Sequence, residues 1–349
     1  MATTKVTTDV IDMSGNAGGL TWVTGTTVQQ PSGVIGEIRE DTDTNRTLVY
    51  TDETGTAEWR NLKEAALQVP FNISYLVVAG AGGAGGGGGG GGAGGLLTNF
   101  GGTALSISSG TYDIEVGPGG NGGVSRAIGS IGSNSEFNAI ISTGGGGGAG
   151  FNANTGTGLN GGSGGGGANS PGNEQYIIGG TATPSGQGNA GGRGYRTDDG
   201  FNACAGGGGA GGDGGDGSGV GSTPVVGAAG AALTITIMGG SGSPYAAGGI
   251  GSAEIGSGGG SGAAGSPNTG NGGNGTNSVT LNDNGGAGGS GIVILRCTKA
   301  SASFTAGVFV NGTTTSAGQS VNGDTTNMPA GDYFYKITTA ASGSKITFS

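Results

Sequence analysis

The chain of 349 residues contains no histidine and only two cysteines, Cys204 and Cys297. Without His, the Ser/His/Asp and Cys/His constellations of nucleophilic catalysis are absent. Two Cys are too few for a zinc site or a disulfide framework, although a bond between this pair stays open. No P-loop Gly-Lys-Ser/Thr occurs. An enzyme is therefore not expected, nor any catalytic residue, metal or other cofactor. Charge is scarce as well: Lys and Arg number 12 against 22 Asp and Glu, a net charge of −10. With no basic stretch, nucleic acid and anionic membranes are poor partners. No apolar run approaches the roughly 18 residues of a membrane-spanning helix. The first residues, Met1 to Asp9, lack the apolar core of a signal peptide. Proline is sparse too, at 9 residues, and no Gly-X-Y period exists, which excludes collagen.

What the chain has instead is glycine, 93 residues of it, concentrated between Gly80 and Gly291. Gly85 to Gly92 are all glycine. Glycine loses more backbone entropy on folding than any other residue, and such a run has no side chain to bury. A flexible linker is the plain alternative. Two features oppose it: the fillers are mostly Ala, and the runs are interrupted by alternating apolar segments. A packed solution exists. A polyproline-II helix has three residues per turn and no internal hydrogen bonds. Side by side, bare glycine helices can pair every N–H and C=O with neighbours. Runs such as 117–123, 144–150, 161–167, 206–217 and 256–262 supply the necessary copies.

The segments between the runs read as strands. Ile73 to Val78 leads into glycine. In Gly110 to Gly117, Tyr112, Ile114 and Val116 share one face, with Asp113 and Glu115 on the other. Phe137 to Ile141 and Leu233 to Ile237 read as further strands, and Ile292 to Leu295 as a central strand apolar on both faces. The fold expected is mainly β: sandwich-like strands with an inserted bundle of polyglycine-II helices, flanked by small β modules, with almost no α-helix. Three domains follow. Residues 1–70 hold charges and little Gly, with strands at Val34 to Arg39, Thr47 to Tyr50 and Ala57 to Leu62, and with Trp59 and Leu62 as core. Residues 71–298 are the glycine-rich domain. Residues 299–349 form a small β segment, with an Asn311-Gly312 turn and a hairpin closed by Ala340 to Ser344.

Two resemblances emerge from these residues. Gly-Glu-Ile-Arg at 36–39, the Asp/Asn-Thr turn, and Trp59-Arg60-Asn61-Leu62 resemble a small module of bacteriophage tail fibres. Tyr75 to Gly80, Gly94 to Leu97, Gly110 to Gly123 and Gly285 to Arg296 resemble the glycine-rich domain of phage tail-fibre and adhesin proteins. That family implies a polyglycine-II bundle whose end loops recognise the host. It also implies a host surface polysaccharide or outer-membrane protein as partner, with other virion tail proteins held through the N-terminal module. The assembly expected is a homotrimer. The location expected is the virion, outside the cell, after synthesis in the host cytoplasm without a signal peptide.

Glycine helices offer no pocket, so binding side chains belong at bundle ends. The aromatic and charged residues of the inserted stretches are the candidates: Phe151, Tyr176, Arg193, Tyr195, Arg196, Asp198, Asp199, Phe201 and Tyr245. The alternatives are that they cap the bundle, and that the protein is a purely structural fibre or decoration subunit. Gly211-Gly212-Asp213-Gly214-Gly215-Asp216 fits the start of a calcium-roll repeat, but only once, so a solvated turn is the preferred reading.

Overall fold

A computed structural model describes residues 23–29, 37–44, 46–51, 57–61, 70–151, 157–168, 176–253, 261–276 and 283–349. The expected positions Val34 to Gly36 and Leu62, and most of the 256–262 run, lie outside them. Among the described residues the one helical element is a 3-10 turn, Thr27–Gln29; the fold is mainly β. The chain divides into two units, Met1–Val69 and Pro70–Ser349.

In the first unit, Ile38–Asp41, Arg46–Thr51 and Glu58–Asn61 form the anticipated antiparallel meander, with Val23–Gly25 added in parallel. The first turn is held by Asp41, whose Oδ1 accepts the amides of Asp43 and Thr44 at 3.0 and 3.3 Å. Tyr50 and Trp59 are cross-strand partners whose rings meet edge to face at 5.3 Å.

The second unit is a two-sheet sandwich that continues into a glycine bundle. One sheet runs in the order Thr313–Thr314, Phe309–Val310, Tyr333–Thr339, Ile292–Cys297, Phe71–Val78, Leu96–Thr98. The other runs Ile140–Ser142, Ser135–Phe137, Gly110–Glu115, Lys345–Phe348, Ser301–Phe304, Gln319–Asn322. Side chains alternate along a strand. Ile73, Val77, Val293 and Leu295 therefore face the interior, which also holds Ile114, Phe137, Phe304, Tyr335 and Phe348. Leu76, Val78, Ile292 and Ile294 face the opposite way, into a second apolar cluster with Ile237 and Tyr245. Ile292–Cys297 is thus the doubly buried central strand that its unbroken apolar run implies.

Two expectations change. The segment 299–349 is not a separate domain: Tyr333–Thr339 pairs with Ile292–Cys297, and Lys345–Phe348 pairs with Gly110–Glu115. Consequently Ala340 to Ser344 closes no hairpin; it carries the chain from one sheet to the other. Phe137 to Ile141 is not one strand either. Asn138 and Ala139 take positive φ (46° and 59°) and fold it into a tight hairpin, with Ile140 opposite Phe137. The bond left open between Cys204 and Cys297 is not formed, and both thiols are buried. Cys297 sits in the sandwich core, whereas the Cys204 thiol lies 3.7 Å from the Gly87 carbonyl in the bundle. Burial pushes the Cys297 thiol up to about 11.

The bundle answers the backbone accounting of glycine. From Ala79 onward, successive amides point to three different neighbours in rotation. Ala79, Gly82 and Gly85 donate to Gly95, Gly92 and Gly89; Gly80, Gly83 and Gly86 donate to Ser133, Ser130 and Ala127; Ala81 and Ala84 donate to Gly289 and Gly286. The carbonyls rotate likewise. Those of Gly80, Gly83 and Gly86 accept from Gly145, Gly148 and Phe151; those of Ala81 and Ala84 from Gly120 and Gly123; that of Gly82 from Gly273. A partner recurring every third residue is the signature of a three-residue helical turn. Run 79–86 therefore has six neighbours, three through its donors and three through its acceptors. Run 89–95 repeats the pattern, donating towards 143–149, 205–208 and 270–273 and accepting from 79–85, 163–166 and 249. Where a neighbour's backbone lies against the Cα, only glycine permits this spacing: a Cβ added at Gly82, Gly85 or Gly91 would fall within 3.0 Å of a neighbour's backbone.

Edge runs lack a neighbour on one side, and short polar side chains take its place. Asp213 and Asp216, three residues apart, accept the amides of Ala190 and Arg193 at 3.0 and 2.7 Å. Asn271 and Asn274 accept those of Ala247 and Ile250 at 2.9 and 3.0 Å. The calcium-roll-like motif is in fact one of these edge ladders.

Candidate functional site

Strand Phe71–Val78 enters the bundle at Ala79, and run 284–291 returns into Ile292–Cys297. The far end of the bundle is therefore where 79–86 stops, at the turn around Gly87. Other chain segments collect there. Phe151 donates its amide to Gly86, Ser252 donates to Gly88 at 3.0 Å, and Cys204 lies against Gly87. Ala203 bridges to Ala253, and Asn202–Ala203 is the third strand of a small sheet with Gly194–Arg196 and Tyr176–Ile177. The hairpin of Ser218–Val220 and Thr223–Val225 follows directly on this end of the bundle.

The inserted stretches thus bring eight of the nine candidate residues to one end. Tyr176 and Tyr195 are cross-strand partners. Arg126 stacks over the Phe151 ring at 4.5 Å. Arg193 is exposed, with its Nε 3.5 Å from the Asp216 carboxylate. The Arg196 Nε donates to the Gly200 carbonyl at 3.2 Å. That bond closes a tight loop in which Thr197 donates its amide to the Phe201 carbonyl at 2.9 Å and accepts the Phe201 amide on its hydroxyl at 3.1 Å. The loop pushes Asp198 and Asp199 into solvent, with Asp199 facing Gly221 of the hairpin.

Tyr245 is the exception. It is only 3% exposed and packs in the apolar cluster with Leu76, Val78 and Ile292, at the sandwich end of the bundle. Its strand Ser243–Tyr245 pairs with Leu233–Ile235 and turns the ring inward. It is a core residue, so the expectation of an exposed binding aromatic at 245 is corrected. The residues that aromatics and charges did not flag are aliphatic. Val220 (76% exposed), Val225 (54%) and Val124 (62%) stand out at the same far end. The available signal was a valine inside a short Gly/Ser/Thr segment, where no neighbouring run could cover it.

Among the described residues no group of three His, Cys, Asp or Glu could hold a metal ion. The far-end loops form a platform that carries exposed Val124, Val220, Val225, Arg193, Asp198 and Asp199, with Tyr195 and Phe201 half-buried beside them. A family model described as a glycine-rich domain matches residues 61–298. The chain belongs to this family. No curated protein and no solved structure matches it. The family match spans the whole bundle and ends just after the central strand, at 298. The strands of 299–349 that complete both sheets lie beyond it.

Proposed function

We propose that this glycine-rich protein is a non-enzymatic adhesin of a bacterial virus, a tail-fibre component whose far-end loops recognise a host surface molecule. The observation that carries the reading is the segregation of side chains. The bundle interior is bare backbone, while exposed Val124, Val220, Val225, Arg193, Asp198 and Asp199 gather at the end remote from the sandwich. A rod built only for rigidity has no use for exposed apolar side chains at its tip, and exposed apolar surface marks contact sites. In this reading the receptor is a surface polysaccharide or an outer-membrane protein. The first unit attaches the chain to other virion proteins.

The test is binding of the fluorescently labelled protein to a panel of bacterial strains and to outer-membrane vesicles prepared from them. Saturable binding to one strain, reduced by Val220→Asp, supports an adhesin. Binding to none, with the protein incorporated into particles, would identify a purely structural fibre subunit.

A further inference from the structure

The sandwich end carries a second feature, remote from the far-end loops. A cleft of about 450 Å³ opens between the 236–242 loop and the loops of the C-terminal strands. Its apolar floor is Ile235, Met238 and Phe334. Its polar wall includes Asp324, Asn327, Lys336 and Ser241.

The wall is built rather than accidental. Asp324 and Phe334 exchange backbone hydrogen bonds at 2.8 and 2.9 Å, which fixes the carboxylate beside the ring. The Thr326 amide donates to Asp324 Oδ1 at 2.8 Å, and bonds from Thr326 hold the carboxyl below its ordinary value, so it is ionised at neutral pH. Asn311 is locked by three backbone bonds: it donates to the carbonyls of Asn322 and Phe334 and accepts the Lys336 amide. That lock fixes the strand carrying Lys336, whose exposed side chain shares a face with Phe334. Gly239, Gly240 and Gly242 all take positive φ, so the rim turns sharply without bulky side chains.

We propose that this cleft binds a neutral saccharide unit. Its size lies in the range of small-ligand sites, roughly 300–1,000 Å³. One carboxylate and one ammonium offset each other, so neither an anion nor a cation is selected. Carboxamide, hydroxyl, carboxylate and ammonium groups mix donors with acceptors, and a sugar hydroxyl both donates and accepts. The apolar floor suits the C–H face of a pyranose ring. The site is independent of the far-end platform.

The experiment is saturation-transfer difference NMR on the full chain with the methyl glycosides of glucose, galactose, mannose and N-acetylglucosamine. Amide shifts of Gly239, Gly240 and Gly312 are followed in parallel. At least one glycoside should receive saturation and move those amides. Asp324→Asn and Lys336→Met should each weaken binding about tenfold, the loss of one hydrogen bond to a charged group. Amides in the bundle report whether each variant is folded. Val220→Asp should leave the signal intact. The proposal is overturned if no glycoside transfers saturation at millimolar concentration, or if both folded cleft variants bind like the parent. It is overturned equally if Val220→Asp abolishes the signal, or if free amino acids and not glycosides shift the cleft amides.

Discussion

The sandwich and the bundle share one chain and one set of continuous strands, yet they are held together by opposite means. In the sandwich, Phe71, Phe348, Tyr112 and Tyr335 interlock through ring contacts 5.2–6.3 Å apart, and burial of large side chains is the driving term. The bundle has almost nothing of the kind. Its runs bury backbone, and each buried amide or carbonyl must find a partner because an unpaired one costs about 1–3 kcal/mol. The sandwich core should suffer most from deletions, which leave cavities among its large side chains. The bundle should do the reverse: nothing can be deleted from glycine, and any added atom meets a fixed carbonyl.

The largest effect should therefore come from a single added side chain. Gly91→Val would force a Cβ onto the Gly82 carbonyl of the adjacent run. Backbone cannot swing aside as a side chain can, so the cost should reach at least about 3 kcal/mol, the upper part of the overpacking range. The measurement is the urea midpoint, with amide exchange at Gly89 to Gly94 as local probe. Random-coil exchange of those amides in the parent protein would mean that the run is not packed. Leu295→Ala, at the sandwich centre, should cost about 2–5 kcal/mol by leaving a cavity. If Gly91→Val left the urea midpoint unchanged while Leu295→Ala lowered it, the contrast between the regions would fail.

How much of this contrast was legible depends on the residues concerned. Ile292 to Leu295 announced a central strand because an unbroken apolar run needs cover on both faces. Tyr112, Ile114 and Val116 announced one face by alternation, and the structure turns all three towards the core. Asn311-Gly312 marked its hairpin because Gly accepts positive φ; Asn138-Ala139 hid a similar one because Ala rarely does. Lys345 to Phe348 looked like the return strand of a local hairpin. Which sheet a strand joins depends on partners some 230 positions away, such as Asp113, paired with Lys345. At the candidate site, the loops were legible as interruptions of glycine, but burial was not. Tyr245 and Tyr195 look alike in sequence, and only the inward turn of the Ser243–Tyr245 strand separates them.

A smaller effect is expected at the bundle edge. Asn274→Ala removes the acceptor of the Ile250 amide, and Asp213→Ala that of Ala190. Both contacts lie near solvent, so water can partly replace the lost side chain, and each should cost about 1 kcal/mol. Asn274→Asp keeps the acceptor and should recover most of the loss. If Asn274→Ala cost as much as Gly91→Val, the Asn side chain would be part of the packed interior rather than a stand-in for a missing run.

The smallest structural effect, and the largest functional one, belongs to the far end. Val220 and Val225 are 76% and 54% exposed, so the double variant Val220→Asp, Val225→Asp should shift stability by no more than about 0.5 kcal/mol per site. If the platform is the receptor contact, burying two new carboxylates in that interface should cost about 2 kcal/mol or more of binding. Cell binding should then fall about thirtyfold or more, since each 1.4 kcal/mol is a factor of ten. Ile131→Asp supplies the control: it is equally apolar and 58% exposed, but it lies on the run that ends at Ser133, beside the sandwich end of 79–86. Lost binding with an unchanged urea midpoint in the valine variant, and neither change in Ile131→Asp, assigns recognition to the far end. Equal losses in both would reduce the effect to added negative charge on an already acidic protein. Unchanged binding in both would move recognition away from the valines, towards the Tyr195 face of the small sheet.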